Sequence, residues 1–379
     1  MSSVTKTRLF SFLSTLIIVP LITIVVILFA RGYRPDFVTK KLEPTGILAA
    51  TSLPDGAQVI VNGEIKTATN NSLNLSPGEY SVQIKKASFH PWTKTLQIQK
   101  EAVTRASAFL FTNVPTLKAI TSTGASHPTL SPDGAKVVFI SNRNLYQLDI
   151  AESLGFISHE PQSLISNFKF KILNSLWSPD SRQILLQSSS SAQLVDINSG
   201  KITETSIGLP ALLSDWQTKK IDSYQRQFAS LPENLQTFLA TSSSQISWSI
   251  NDKKILYTAT ASAIIPDRLS PPLPGSSTQT QSRQLTPYHR YVYDLEEDRN
   301  FDIGTSSQNW SWYPTGNHVY RLDKDNIIIK EYDNANEIFL FAGNLAENFA
   351  IPYPSGKQLL VLITTSASPL PNLYSVNLK

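Results

Sequence analysis

A ten-residue cassette recurs along the last two-thirds of the chain, and no other feature limits the fold so strongly. Its clearest copy is Trp177-Ser178-Pro179-Asp180-Ser181-Arg182-Gln183-Ile184-Leu185-Leu186. An aromatic residue closes one strand, a Ser-Pro-Asp turn follows, and a polar residue opens an apolar strand. Further copies begin at Leu130, Trp248, Trp312 and Pro352, at intervals of 47, 71, 64 and 40 residues. A repeat of this kind predicts an array of like units sharing one continuous core.

The short intervals suit a four-stranded propeller blade of about 40–50 residues. The long ones hold insertions. Residues 211–241 carry a helix-like pattern with Leu-Pro punctuation, and residues 264–287 are rich in Pro, Ser and Gln, reading as a mobile loop. After each cassette a second strand pairs in meander fashion, as in Leu145–Ile150, Ala192–Ile197 and Tyr291–Leu295. The segment near Pro115–Ser122 could complete the last blade and so remove an exposed sheet edge.

These motifs resemble the TolB-type, WD40-like β-propeller repeat, in which Trp-Ser-Pro-Asp-Gly-Lys precedes an apolar strand. The likeness is good at Leu130 and Trp177 and degraded at the other three copies, where Ile250-Asn251 replaces Pro-Asp and Tyr313 and Tyr353 replace Ser. Five blades are expected, with a degraded sixth left open. Trp177, Trp248 and Trp312 recur at one repeat position and are therefore read as inter-blade packing. Pro179 and Asp180 are read as turn residues.

Nearer the amino terminus, Leu9–Ala30 contains no charge, and its only polar members are Ser11, Ser14, Thr15 and Thr23. As a helix it would span roughly 33 Å, enough for a hydrocarbon core. Pro20 is tolerable there, and no small-x-small cleavage site follows at Leu28–Arg31, so a retained anchor is expected in place of a cleaved leader. Lys6 and Arg8 precede it while Arg31, Arg34, Lys40 and Lys41 follow, so a charge count favours a cytoplasmic body.

Residues 31–43 form a polar linker. In residues 44–113, Pro54-Asp55-Gly56-Ala57 makes a tight turn, Asn62-Gly63 a hairpin, and Ser76-Pro77-Gly78 a second turn before an alternating strand at Tyr80–Ile84. The segment resembles the PEGA family. Its name motif stands here as Pro54, Asp55, Gly56 and Ala57, and the later pattern is met by Leu75, Pro77, Gly78, Tyr80 and Val82. The downstream Gly-aromatic-x-x-Trp has become Ser88-Phe89-His90-Pro91-Trp92. The resemblance implies a non-catalytic β-sandwich of the cell envelope, and with it an N-in, C-out orientation against the charge count. The motif residues themselves read as backbone turns and core.

The charge balance excludes one class of partner. Residues 1–113 hold 12 Lys and Arg against 6 Asp and Glu, whereas residues 114–379 hold 21 against 23. The basic excess lies beside the anchor, where it can meet anionic head groups. No basic stripe marks the larger part, so nucleic acid is not an expected partner. With no cysteine, thiolate chemistry is excluded. A Gly-x-Ser-x-Gly elbow, a His-Glu-x-x-His motif and a phosphate-cradling loop are absent, and no cofactor is expected. His90, His127, His159, His289 and His318 show no ligand spacing. Asp294, Glu296 and Asp298 could offer hard oxygens to Ca²⁺, but the twelve-residue calcium-loop pattern is missing and a solvated turn reads better.

The sequence therefore predicts an all-β protein with one transmembrane helix, a PEGA-like sandwich and a propeller over residues 114–379. The function expected is non-enzymatic: an envelope binding or scaffold protein that takes a protein or glycan partner. Two rivals stand beside it, a glycan hydrolase or lyase working in the propeller channel and a cytoplasm-facing sensor or assembly factor.

Overall fold

The computed structural model of the protein describes residues 3–36, 41–151, 160–167, 171–270, 278–366 and 368–379. Parts of the expected linker, of the 264–287 insertion, and His159 lie outside them. The chain divides into two compact units, one built chiefly from residues 1–87 and 91–110, the other from 111–272 and 280–379.

The first unit begins with helix α1, Ser3–Ala30, whose stretch Phe10–Ala30 is long and apolar enough to cross a membrane. Three hydroxyls of this stretch are satisfied within the helix: Ser14 and Thr15 donate to the Ser11 carbonyl and Thr23 to that of Val19. Such self-satisfaction is what a lipid-facing helix requires. Beyond the helix come a three-stranded sheet and a four-stranded one. In the first, strand Gly46–Leu53 lies between Asn71–Leu75 and Val103–Phe109; in the second the order is Glu64–Ala68, Gln58–Val61, Gly78–Lys85, Trp92–Ile98. Alternate residues turn inward, so Leu48, Val59, Val61, Val82, Ile84, Leu96 and Ile98 form the core. Asn62 and Gly63 both adopt left-handed backbone in the hairpin that their sequence predicted. Gly46 is required for a different reason: a Cβ there would lie 2.3 Å from the Gln99 carbonyl oxygen.

Among its described residues the second unit contains five four-stranded antiparallel sheets. Blades 1 to 4 are consecutive meanders opening at Ser126, Asn174, Ser243 and Ser311. Blade 5 takes three strands from the carboxy terminus and its fourth, Thr116–Ala119, from the start of the unit, with Thr116 opposite Asn377 and Ala119 opposite Tyr374. Hydrogen bonds from the Gly124 amide and the Thr121 hydroxyl to Asn372 reinforce this closure. The ring is a five-bladed propeller.

Period-two alternation gives each blade two apolar faces, and most seams form by pressing one face on the next. Val138 and Leu145 of blade 1 meet Trp177, Ile184, Leu186 and Val195 of blade 2. Leu256, Val292 and Phe301 of blade 3 meet Trp310, Val319 and Ile328 of blade 4. The opposite face of blade 2 carries Leu176, Leu185 and Leu194. It receives helix α2, Leu209–Ala229, through Leu209, Leu212, Leu213 and Trp216, spaced i, i+3, i+4 and i+7. Helix α3, Glu233–Ser242, returns and buries Leu235 and Leu239 against Ile255, Tyr257, Tyr291 and Tyr293 of blade 3. The inserted helices thus fill the seam between blades 2 and 3.

The 264–287 insertion also departs from expectation where it is described. Ile265, Leu269 and Leu285 are buried in the same cluster as α3, so these parts are core and not a mobile loop. Asp298 ties them down. Its carboxylate accepts the Arg268 and Leu269 amides at 2.8 and 3.0 Å, the Arg283 guanidinium at 3.0 Å, and the Tyr293 hydroxyl.

Candidate functional site

The five cassettes fold into one turn. In each, the amide of the second residue bonds across to the strand beyond, as Ser131 to Lys136, Ser178 to Gln183 and Tyr353 to Gln358. The fifth position is left-handed in every copy: Gly134, Ser181, Asp252, Gly316 and Gly356 have φ of 70°, 59°, 55°, 71° and 68°. That demand explains the glycines. The Ser and Asp of the motif act as a pair. Ser178 donates to Asp180 at 2.6 Å, and Asp180 accepts the Arg182 amide. Ser249 and Asn251 reproduce this bond at 2.7 Å, so the degraded copy keeps the geometry with a carboxamide.

Two of these turns, with α2 opposite, line an open cleft of about 440 Å³. Pro132 and Asp133 come from blade 1, Pro179, Asp180 and Ser181 from blade 2, and Lys219, Lys220, Ser223, Tyr224 and Gln227 from α2. The turns are locked together by the Asp133 amide, which donates to the Ser181 hydroxyl at 3.0 Å. The Ser178 hydroxyl bond holds the Asp180 carboxyl below its ordinary range, against a smaller upward push from burial. Burial pushes Asp133 up, but the Ser131 hydroxyl, the Ala135 amide and Lys136 together outweigh it and leave the carboxyl low. Both acids are charged at neutral pH. Lys219, 2.7 Å from Asp215 one turn earlier, is held above the usual lysine range by that bond. Tyr224 is 41% exposed and stacks on Phe228. The cleft offers charges of both signs around proline and tyrosine surface, a lining suited to a polar, extended ligand with apolar side groups.

The remaining sequence candidates scatter. Trp177 donates its indole N–H to the Thr129 carbonyl of the preceding blade, and Trp312 does the same to Ser247, both at 3.1 Å. Trp248 does not. It meets the Tyr224 ring of α2 edge-on at 5.5 Å, and its indole N–H is buried with no partner. The expectation that all three tryptophans pack between blades fails at Trp248 because helices occupy its seam.

Asp294, Glu296 and Asp298 do not converge either. Asp294 pairs with buried Lys254 at 3.3 Å and accepts the Glu296 and Glu297 amides, Glu296 pairs with Lys253, and Asp298 serves the insertion. Each carboxylate has its own partner, and among the described residues no three His, Asp or Glu side chains gather as a metal site. Pro54, Gly56, Ala57 and Pro77 sit in turns or core of the sandwich, and Gly78 opens the strand Gly78–Lys85. The histidines are similarly dispersed: His289 pairs with Asp302 at 2.8 Å and His318 with Thr315 at 2.8 Å.

Sequence reading missed the α2 side of the cleft. The apolar spacing through Trp216 marks one face of that helix, and Lys220, Tyr224 and Gln227 lie on its flank, but only the docked position shows that this flank meets the turns.

No curated protein matches the chain. Among solved structures, a putative TolB from Agrobacterium tumefaciens is 14% identical over 67% of this chain and 78% of its own, with a TM-score of 0.22. TolB from Acinetobacter baumannii is 10% identical over 79% of this chain and 59% of its own, with a TM-score of 0.22. An oligogalacturonate lyase from Vibrio parahaemolyticus is 8% identical over 79% and 86%, with a TM-score of 0.25. Likeness at this level bears on neither activity nor partners. The PEGA domain model matches residues 45–111. Those residues are a PEGA domain, and the same chain carries a five-bladed propeller.

Proposed function

We propose that this is a membrane-anchored, non-enzymatic binding or scaffold protein of the cell envelope, with the cleft between the blade 1 and 2 turns and α2 as its binding surface. The cleft carries the reading: rigid turns and a docked helix hold charged and apolar groups at fixed positions, the usual design of a recognition surface. An N-terminal apolar helix and a PEGA domain fit a membrane-anchored protein, and on this reading the folded units lie outside the cytoplasmic membrane.

Glycan hydrolysis would need two convergent carboxylates. The first strands of the five blades carry one, Glu347, and it accepts the His127 amide at 2.9 Å. That distribution favours binding over hydrolysis in the channel.

The natural absence of cysteine allows a clean test. A Ser223→Cys chain carrying a photo-crosslinker is expected to yield a saturable adduct with one envelope component in cells, and Lys220→Glu to abolish it. An adduct insensitive to Lys220→Glu, or turnover of wall polysaccharide by the purified chain, would contradict the proposal. Protease added to intact cells should remove a carboxy-terminal tag; a protected tag would place the body inside.

A further inference from the structure

Most cations buried in the propeller have a described partner. Lys254 faces Asp294, Arg283 lies against Asp298, Lys330 donates to the Ile303 carbonyl and to Asn334, and Arg321 pairs with Asp323. Arg290 is the exception. It is 8% exposed, its Nε is buried without a partner, and no hydrogen bond or ion pair reaches its side chain among the described residues. Burial lowers its affinity for its proton, with no opposing charge to restore it. A buried N–H donor left without an acceptor is costly to a fold.

Its surroundings are arranged for donation. Arg290 stands opposite Thr258 on one neighbouring strand and opposite Gly304 on the other. In the same row as Leu256 and Val292, it faces the seam with blade 4. The Thr258 hydroxyl donates to Oε1 of Gln245 at 3.1 Å, which leaves the Gln245 amide hydrogens for another acceptor. Gln245 is exposed and left-handed at φ 52°, in a bulge of the first strand of blade 3 between Ser244 and Ser247. Non-glycine residues held in this conformation, and bulges that re-aim a side chain, concentrate at functional sites.

We propose that Arg290 and Gln245 form a binding site for a small oxyanion, a carboxylate or phosphate group, at the seam between blades 3 and 4. The planar guanidinium fork matches two oxygens of such a group, and the Gln245 amide supplies a third donor from the solvent side. The site is separate from the α2 cleft and stands or falls independently of it.

The test is thermal unfolding of the full chain in mild detergent against rising inorganic phosphate or acetate, with chloride matched for ionic strength. The wild-type midpoint temperature should rise and saturate with at least one anion. Saturation by phosphate alone would assign a phosphate-type ligand, and saturation by acetate alone a carboxylate. Arg290→Gln should remove the rise, and Gln245→Ala should weaken the half-saturating concentration severalfold. Should Arg290→Gln not fold, Arg290→Lys decides: it keeps the charge, loses the fork, and should weaken binding about tenfold. No rise beyond chloride in the wild type, or an unchanged response in the arginine variants, would overturn the site.

Discussion

The seam between blades 1 and 2 and the seam between blades 2 and 3 start from the same sequence elements and end differently. At the first, Trp177 reaches across to the Thr129 carbonyl and apolar faces meet directly. At the second, Trp248 has the same place in the same cassette, yet two helices stand where the neighbouring face would be. The cassette therefore fixes the turn and the faces of a blade, but not what a face packs against. The partner is decided by whichever apolar surface the connecting segment brings, and here α2 and α3 bring one to each side.

The largest test of this contrast removes the wedge's main contact. Trp216→Ala should cost about 3–5 kcal/mol, seen as a lowered denaturation midpoint, because the side chain is buried against Leu185 and Ala192. A cost below about 1 kcal/mol would mean that α2 does not pack on blade 2.

Acid comes next. Hydrogen bonds from Tyr293, the Arg268 amide and Arg283 hold Asp298 below its ordinary carboxyl range despite the larger upward push of burial. Its folded affinity for a proton is thus lower than its unfolded one, so its contribution is complete above the ordinary value and is lost as pH falls through the depressed one. Unfolding as pH falls below about 4 should show this loss, and Asp298→Asn should flatten it while lowering stability at neutral pH.

A smaller difference separates the two tryptophans. Trp177→Phe removes a made hydrogen bond and Trp248→Phe removes an unmade one. The first should cost about 1 kcal/mol more than the second in matched denaturant titrations. Equal costs would show that Trp248 has a partner in solution.

The smallest effect is expected at Asp252→Gly. Relief of the left-handed backbone offsets loss of the bond from Gln227 of α2, and the net change should stay within about 0.5 kcal/mol.

Local chemistry was legible in the sequence. Asn62-Gly63, Pro54-Asp55-Gly56 and the five cassettes were readable because a turn depends on neighbours in the chain. The seams were not, since burial of Leu185 by Trp216 or of Tyr257 by Leu235 joins residues that no local pattern connects. The 264–287 insertion misled for the same reason: three apolar residues, Ile265, Leu269 and Leu285, anchor a polar segment. Asp298 looked like one acid in an exposed run, and only its five donors, the Ser270 amide among them, reveal it as a buried knot. Half of the cleft, Pro179 and Asp180, was on view as turn chemistry, whereas the α2 half required the docked helix.

Hydrogen exchange of the α2 backbone in the full chain tests the wedge most directly, because a helix held in a seam opens only when the blades do. Peptides covering residues 212–228 should exchange as slowly as those from strand Lys254–Ala259. Exchange of α2 within seconds, while that strand stays protected, would show the helices to be a loose surface excursion and would remove the wall of the proposed binding cleft.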